Sequence, residues 1–561
     1  MGFRSDSEGQ SRCTLTPAEN LSPFLAKNLH ALVCVDPALA KRLCEPQVDA
    51  HLQGEPPRYM WNRNSCRLAL TSTEIDECVS GVEGRTLVMG MGLGELTAAC
   101  LKRGVSVTTW ERDPALMCAA LERVDFQAAI LSRQLHLKLG IDLVNLQRSA
   151  FVSAVQHPLL GQIYERECKL VEQGIAPRRA LICAGELFVA DVAAALEAED
   201  FSVYTWDLKR LSSSELEAVV QRFDPELIVA INHTHGLAEA CHRLQRRLLV
   251  WEIDPATDHL RRCDSPSTGV HVFTYCRANV HRFRAAGFRN VSYLPLAANV
   301  QRRTPGHVQP DSSAAGQVCF VGASMVGQAR EFRGLFQAAW ERAGGDVADG
   351  LRRLDRVLAE QRRLGGNYQV PLLVAAAMPD FLKASDQWLS HDLIAIIAEM
   401  AAAERRLNVM ARLGSFAPRV WGDPGWRATE PAGIRYMGFA GHHQELTEIY
   451  RAGAVHVDVA RLYQQDIVPM RIFDIVACGG FVIAEHSEDL ERLFDVGRDL
   501  ESWKTPDELQ EKIAHYLSHP DEARVIAQQG LQTIRRSHSI RARVQAILNV
   551  AAEHRTGRTA V

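Results

Sequence analysis

The sequence predicts an α/β protein built from three Rossmann-like units, each a parallel sheet flanked by helices. Three observations lead there. Short apolar runs such as TLVM, ELIVAI and FVIA recur along the chain, which is how strands buried on both faces read. Helical patterns of roughly ten to fifteen residues alternate with them, as in βαβ units. Glycines stand where strand passes to helix or helix to strand, at Gly90, Gly92 and Gly94, at Gly322, and at Gly479 and Gly480.

Composition narrows the class. The 561 residues leave room for three or four domains, at ~150 residues each. Apolar residues make up 47%, ordinary for a packed globular chain. A net charge of −4 gives no global drive toward nucleic acid or anionic membrane. The 14 cysteines are scattered, with no CxxC pair and no zinc spacing. They read as reduced, buried thiols. The polar start MGFRSDSEGQ lacks the apolar core of a signal peptide. No run approaches the ~20 apolar residues of a membrane span. The expectation is a cytoplasmic protein with no integral membrane segment and no nucleic-acid partner.

In chain order, residues 1–150 read as an N-terminal Rossmann-like domain. Its clearest part is TLVMGMGLGELTAACLKRGVSVTTWE, residues 86–111. Gly90, Gly92 and Gly94 would bring backbone close to a ligand, and Glu111 after the second strand could accept ribose hydroxyls. A nucleotide or S-adenosylmethionine suits that pattern; plain helix–strand packing is the alternative. Residues 151–177 read as a helical linker, within a stretch from about 125 to 176 that looks helical and charged throughout. Gly174 and Pro177 close it.

Residues 178–302 read as a second α/β domain. Its polar residues gather after strands: Asn232, His233 and His235 after ELIVAIN, and Asp254 after LLVWEI. In a parallel sheet that edge is the ligand crevice. Glu252 and Asp254 form a single carboxylate pair, too little for a metal site. Residues 303–317 are rich in Pro, Gly and Ser and read as an interdomain linker.

Residues 318–535 read as a third α/β domain with a helical insertion at 331–415, and 536–561 as a C-terminal helix and tail. VCFVGASM places Gly322 and Ser324 where backbone N–H groups at a helix start can face phosphate. QQDIVPMRIFDIVACGGFVIAEHSEDL, residues 464–490, reads as acidic loop, helix, glycine turn, buried strand and second helix. Asp466 and Asp474 are eight apart, with Arg471 between them.

Taken together, VSYLPLAAN, VCFVGA, IRYMGFAGHHQELTEIYRAGAVHVDVAR and MRIFDIVACGGF resemble the CgeB-like, or spore-protein-type, glycosyltransferases of the GT-B fold. The resemblance covers roughly residues 178–550, and RIFDIVACGGF is its most specific piece. It implies two Rossmann-like domains facing a cleft, with the donor mainly on the C-terminal one and the acceptor mainly on the N-terminal one. Many retaining enzymes of that fold carry Glu-x7-Glu at the donor site; here the pair is Asp466 and Asp474. By that likeness Asp474 would hold ribose hydroxyls and Asp466 would face the donor sugar. Arg471 is the choice for the diphosphate, because its planar fork pairs with phosphate oxygens, and Arg461 is the second choice. Gly322, Ser324, Gly479 and Gly480 join them on the donor side. Asp466, Arg471 and His233 are the candidate catalytic residues, and Asn232, His235 and Asp254 line the acceptor side.

The function implied is transfer of a sugar from a UDP- or GDP-sugar to a bacterial protein, flagellin among the candidates, or to a surface glycan. Retention, metal independence and absence of a required cofactor follow from the resemblance. GMGLGEL is also similar to the first motif of S-adenosylmethionine-dependent methyltransferases, so an N-terminal methyltransferase is the alternative. A non-catalytic nucleotide-sugar-binding protein is the third reading, because Asp stands for Glu at the donor site.

Overall fold

The computed structural model describes residues 22–45, 52–54, 57–61, 64–184, 188–207, 213–234, 236–254, 269–308, 312–441 and 444–556. The chain divides into two compact units, residues 1–250 with 265–270, and residues 251–264 with 271–561.

The first unit opens with helices Pro23–Val35 and Pro37–Cys44 and a small antiparallel sheet, β1 (Leu52–Gln53), β2 (Arg58–Trp61) and β3 (Asn64–Arg67). A four-stranded parallel sheet follows, of β4 (Thr86–Met89), β5 (Val107–Glu111), β6 (Leu135–Leu139) and β7 (Ser153–Gln156). Its order is β6-β5-β4-β7, so the strand order reverses between β4 and β7 while the strands stay parallel. All four residues of β4 are buried, as the TLVM run requires.

Two of these strands correct the expectation for residues 125–176, which read as helical. In β6, Leu135, Leu137 and Leu139 are buried while His136 is exposed, a period of two within five residues. Charged neighbours and the short length masked it. β7 lies inside the stretch taken as a helical linker, yet pairs in parallel with β4 from Thr86↔Ser153 to Met89↔Gln156.

Next come β8 (Arg179–Ala184), β9 (Ser202–Asp207), β10 (Leu227–Ile231), β11 (Leu248–Glu252), β12 (Val270–Thr274) and β13 (Asn290–Tyr293). The sheet order is β13-β12-β11-β10-β8-β9. β8 pairs in parallel with β9 and β10, and β12 with β13.

The second unit contains the C-terminal sheet: β14 (Val318–Val321), β15 (Arg419–Trp421), β16 (Arg435–Gly438), β17 (Val455–Val457), β18 (Val482–Glu485) and β19 (Glu501–Trp503). Its order is β16-β15-β14-β17-β18-β19, and every pairing is parallel. Counted along the chain this is 3-2-1-4-5-6, the doubly wound dinucleotide-binding arrangement. Between β14 and β15 stand the helices Val326–Arg342, Val347–Leu364, Val370–Ala377, Pro379–Ala384 and Leu393–Ala411. They enclose their own core around Phe336, Leu354, Ile397 and Ala401. Helices Pro506–Ser518, Pro520–Ser537 and Ile540–Thr556 close the chain. The fold class is α/β with parallel sheets, as the sequence predicts.

Candidate functional site

In a doubly wound sheet, ligands bind beyond the carboxyl ends of the strands at the point where strand order reverses. In the C-terminal sheet that point lies between β14 and β17. After β14 the loop Gly322–Met325 is pinned by Asp423, which accepts hydrogen bonds from the Ser324 backbone N–H (2.5 Å) and the Ser324 hydroxyl. Ser324 Oγ in turn accepts from Val326 N–H at 3.2 Å. Met325 takes a left-handed φ of 66° as the helix Val326–Arg342 begins, and it caps none of the helix's N–H groups with its side chain.

After β17, Asp458 is 1% exposed. Arg471, near the start of helix Met470–Ala477, donates to Asp458 Oδ1 through Nε (3.0 Å) and Nη2 (2.6 Å), and to the Val321 carbonyl through Nη1 (2.5 Å). A Cβ at position 322 would run into Arg471 Nη1, so a side chain there would displace that guanidinium. Arg405 pairs with Glu485 at the end of β18, and Arg461 with Glu399 at 3.2 Å.

Arg406 differs from its neighbours. It comes from helix Leu393–Ala411 and is 5% exposed. Its guanidinium donates to two backbone carbonyls, Ala323 O (2.8 Å) and Val459 O (2.9 Å), so it bridges the β14 and β17 loops. Nε is buried with no hydrogen-bond partner, and among the described residues Arg406 makes no ion pair. Burial first, then Arg471 and Arg461, push its pKa down to about 9. At the switch point Asp458, Glu485 and Glu399 pair with Arg471, Arg405 and Arg461, Asp423 holds Ser324, and Arg406 makes no ion pair among the described residues.

The structure gathers Gly322, Ser324, Arg461 and Arg471 here. Three other assignments change. Asp474 is buried and paired with Arg303 Nε at 3.1 Å, and Arg303 also donates to Thr447 Oγ1 at 2.7 Å. That geometry gives the carboxylate an internal partner where ribose hydroxyls were expected. Arg303 itself begins the stretch read as a linker, but it is 3% exposed. Gly479 and Gly480 follow the last turn of helix Met470–Ala477, the end remote from Arg471. A Cβ at Gly480 would meet Tyr450 O and Ile475 Cγ2. They serve close packing ahead of β18, away from the ligand edge. Asp466 is half-buried; burial first, then Asp489 and Glu488, raise its carboxyl pKa.

On the acceptor side, Asp254 is half-buried after β11 and belongs to the second unit. Asn232 (φ 66°) and His233 are half-buried after β10 and belong to the first. His235 lies outside the described residues. Glu252, which the sequence pairs with Asp254, is the last residue of β11. It is buried, accepts from Thr274 Oγ1 at 2.6 Å, and burial pushes its pKa up to about 8. A carboxyl raised in the folded state contributes stability that is full below its unfolded pKa of ~4.3 and is lost as pH rises toward 8. Stability therefore falls between about pH 4.5 and 8, and Glu252→Gln flattens that fall in thermal melts across the range.

The N-terminal glycine turn is filled from within. Gly90, Gly92 and Gly94 have φ of 85°, 60° and 92°. A Cβ at Gly92 would lie 2.5 Å from His157 Cδ2, and one at Gly90 would lie 2.8 Å from Leu160 Cβ. Glu111 is fully buried; it accepts from the N–H groups of Met91 (2.9 Å), Arg112 (2.8 Å) and Asp113 (3.1 Å) and from the Tyr164 hydroxyl. Burial raises its pKa to about 7. This is the packing alternative, in which the carboxylate orders its own turn. Gly92→Ala adds both a strained φ and a clash, so it should destabilise the first unit by more than about 1 kcal/mol in denaturant melts.

Asp458 could have been found by the rule that led to Arg461, since it stands directly after the apolar VHV strand in the same segment. Arg406 carried no such signal: an arginine in a long helix is ordinarily solvated, and only the tertiary position of that helix buries it. Among the described residues, no cluster of three or more His, Cys, Asp or Glu could hold a metal ion, and no helix is long and apolar enough to cross a membrane.

Residues 373–549 match a family model described as glycosyl transferase-like. No curated protein sequence matches the chain. Solved structures with a similar fold include a glycosyltransferase from Rickettsia africae ESF-5, at 9% identity and a TM-score of 0.41, covering 67% of this chain and 98% of that one. Anabaena HepE in complex with UDP and glucose shows 11% identity and a TM-score of 0.39, covering 67% and 100%. Sucrose-phosphate synthase from Thermosynechococcus elongatus shows 12% and 0.41, covering 68% and 100%. At such scores these likenesses say nothing of substrate or mechanism. Over residues 373–549 the chain is thus similar to glycosyl transferase-like proteins, and the described residues form three α/β sheets in all, the N-terminal four-stranded one preceding the two six-stranded ones.

Proposed function

We propose that the protein transfers a glycosyl group from a nucleoside-diphosphate sugar, a UDP- or GDP-sugar, and binds the diphosphate at the β14–β17 switch point. The observation that carries this is Arg406: a buried guanidinium that makes no ion pair among the described residues, beside a helix start whose N–H groups favour anions. Burying a cation without a counter-charge is costly. A diphosphate supplies the missing charge.

The chemistry follows from where charge develops. As the glycosidic bond to the diphosphate breaks, negative charge grows on the phosphate oxygens. Arg406, with Arg471 behind it and the first N–H groups of helix Val326–Arg342, stabilises that charge in a site shielded from water. Arg471 is itself oriented by Asp458. Asp466 faces the transferred sugar in this reading. Asn232, His233, His235 and Asp254 serve the acceptor, a protein such as flagellin or a surface glycan. Reaction proceeds with retention, without a metal, in the cytoplasm. The functional division follows the sequence, with the acceptor domain at 178–302 and the donor domain at 318–535.

A thermal-shift panel tests the reading, because a ligand that binds only the folded state raises Tm by mass action. UDP, GDP, their glucose and mannose derivatives and S-adenosylmethionine make up the panel. The expected result is a rise with one nucleoside diphosphate and its sugar, and none with S-adenosylmethionine. A rise with S-adenosylmethionine alone would transfer the function to the N-terminal sheet, and no rise with any nucleotide would remove the donor reading.

A further inference from the structure

Beside the switch point a carboxylate is left half used. Glu399, on helix Leu393–Ala411, is mostly buried, with 14% of its side chain exposed. Its Oε1 accepts from the Tyr463 hydroxyl at 2.5 Å and from Arg461 Nη1 at 3.2 Å, and Arg461 also donates to the Tyr463 hydroxyl at 2.9 Å. Its Oε2 is buried and accepts no hydrogen bond. A buried carboxylate oxygen without a donor is costly, while the other oxygen takes two donors.

The place of this triad is informative. Arg461 and Tyr463 follow Asp458 in the loop after β17, and Arg406 lies on the same helix as Glu399, about two turns along. Arg461 acts electrostatically on Arg406. From the turn after β12, Tyr275 stands close enough to Arg461 to influence it. The triad therefore lies close to Arg406 and to the loop after β17.

An aliphatic hydroxyl donates one O–H and accepts from a guanidinium N–H, so it complements a carboxylate oxygen that lacks a donor next to an arginine. A sugar ring presents several such groups. We propose that Glu399, with Arg461 and Tyr463, recognises hydroxyls of the glycosyl unit on the donor, a specificity role that rests on the donor reading above. Glu399 lies in the helical segment between β14 and β15, which the sequence analysis leaves without chemistry.

Paired titrations of the full chain test this, UDP against UDP-glucose and GDP against GDP-mannose, in calorimetry. Glu399→Gln should leave the bare diphosphate within about twofold and weaken the matching sugar nucleotide about tenfold or more, the size of a lost hydrogen bond to a charged group. Glu399→Asp keeps the charge and shortens the reach; it should show the same split should the Gln variant fold poorly. Equal weakening of both ligands would mean that Glu399 only supports the loop, and that overturns the proposal. Unchanged sugar-nucleotide affinity also overturns it. Failure of the unaltered protein to bind any of the four ligands would overturn the donor reading itself.

Discussion

Asp474→Ala should lower the stability of the second unit by about 3–5 kcal/mol, the usual cost of stranding one partner of a buried ion pair. The carboxylate is the ion-pair partner of Arg303 at 3.1 Å, and both side chains are less than a tenth exposed. Removing it leaves the buried Arg303 guanidinium without this carboxylate, beside Thr447 Oγ1 and the face of Tyr450, 6.0 Å away. The partner replacement separates this from a binding role. Arg303→Met combined with Asp474→Leu removes both charges at similar volume and should recover most of the stability. Urea melts of the two single variants and the double variant read the coupling. A contact with ribose predicts the opposite pattern, with unchanged melts and weakened nucleotide binding in Asp474→Ala alone.

Arg406→Gln should reduce glycosyl transfer about 100-fold or more while moving Tm little, since truncating one partner of a buried charged pair costs about 2–5 kcal/mol. The glutamine amide keeps one donor for Ala323 O or Val459 O. The lost hydrogen bond is offset by relief from burying an unpaired charge next to Arg471 and Arg461. Activity and stability should therefore part company at this residue. Steady-state kinetics on the donor that shifts Tm, with melts of the same preparations, reads both. A loss of activity matched by a large fall in Tm would make Arg406 a structural strut joining the two loops.

These two residues also show how far sequence reading reaches. The parallel sheets were legible because runs such as TLVM and FVIA can only be buried on both faces, and the glycine turns marked their ends. Gly322 and Arg471 stand at a strand end and a helix start, and the structure brings them into contact. Asp474 misled for a physical reason. Spacing places it on the right helix, but the direction of its carboxylate depends on Arg303, 171 residues away along the chain. Glu111 misled in the same way, since Tyr164 closes over it from 53 residues further on. Arg406 was invisible because helical texture says which face a residue occupies and not what packs on that face.

The account rests on a diphosphate completing the charge at the β14–β17 switch point. The most direct test is a crystal structure of the full chain with whichever of UDP or GDP raises its Tm most. The prediction is phosphate oxygens within about 3 Å of the Arg406 guanidinium or the first N–H groups of helix Val326–Arg342. A nucleotide bound over the Gly90–Gly94 turn, or with its diphosphate turned away from Arg406, would contradict it.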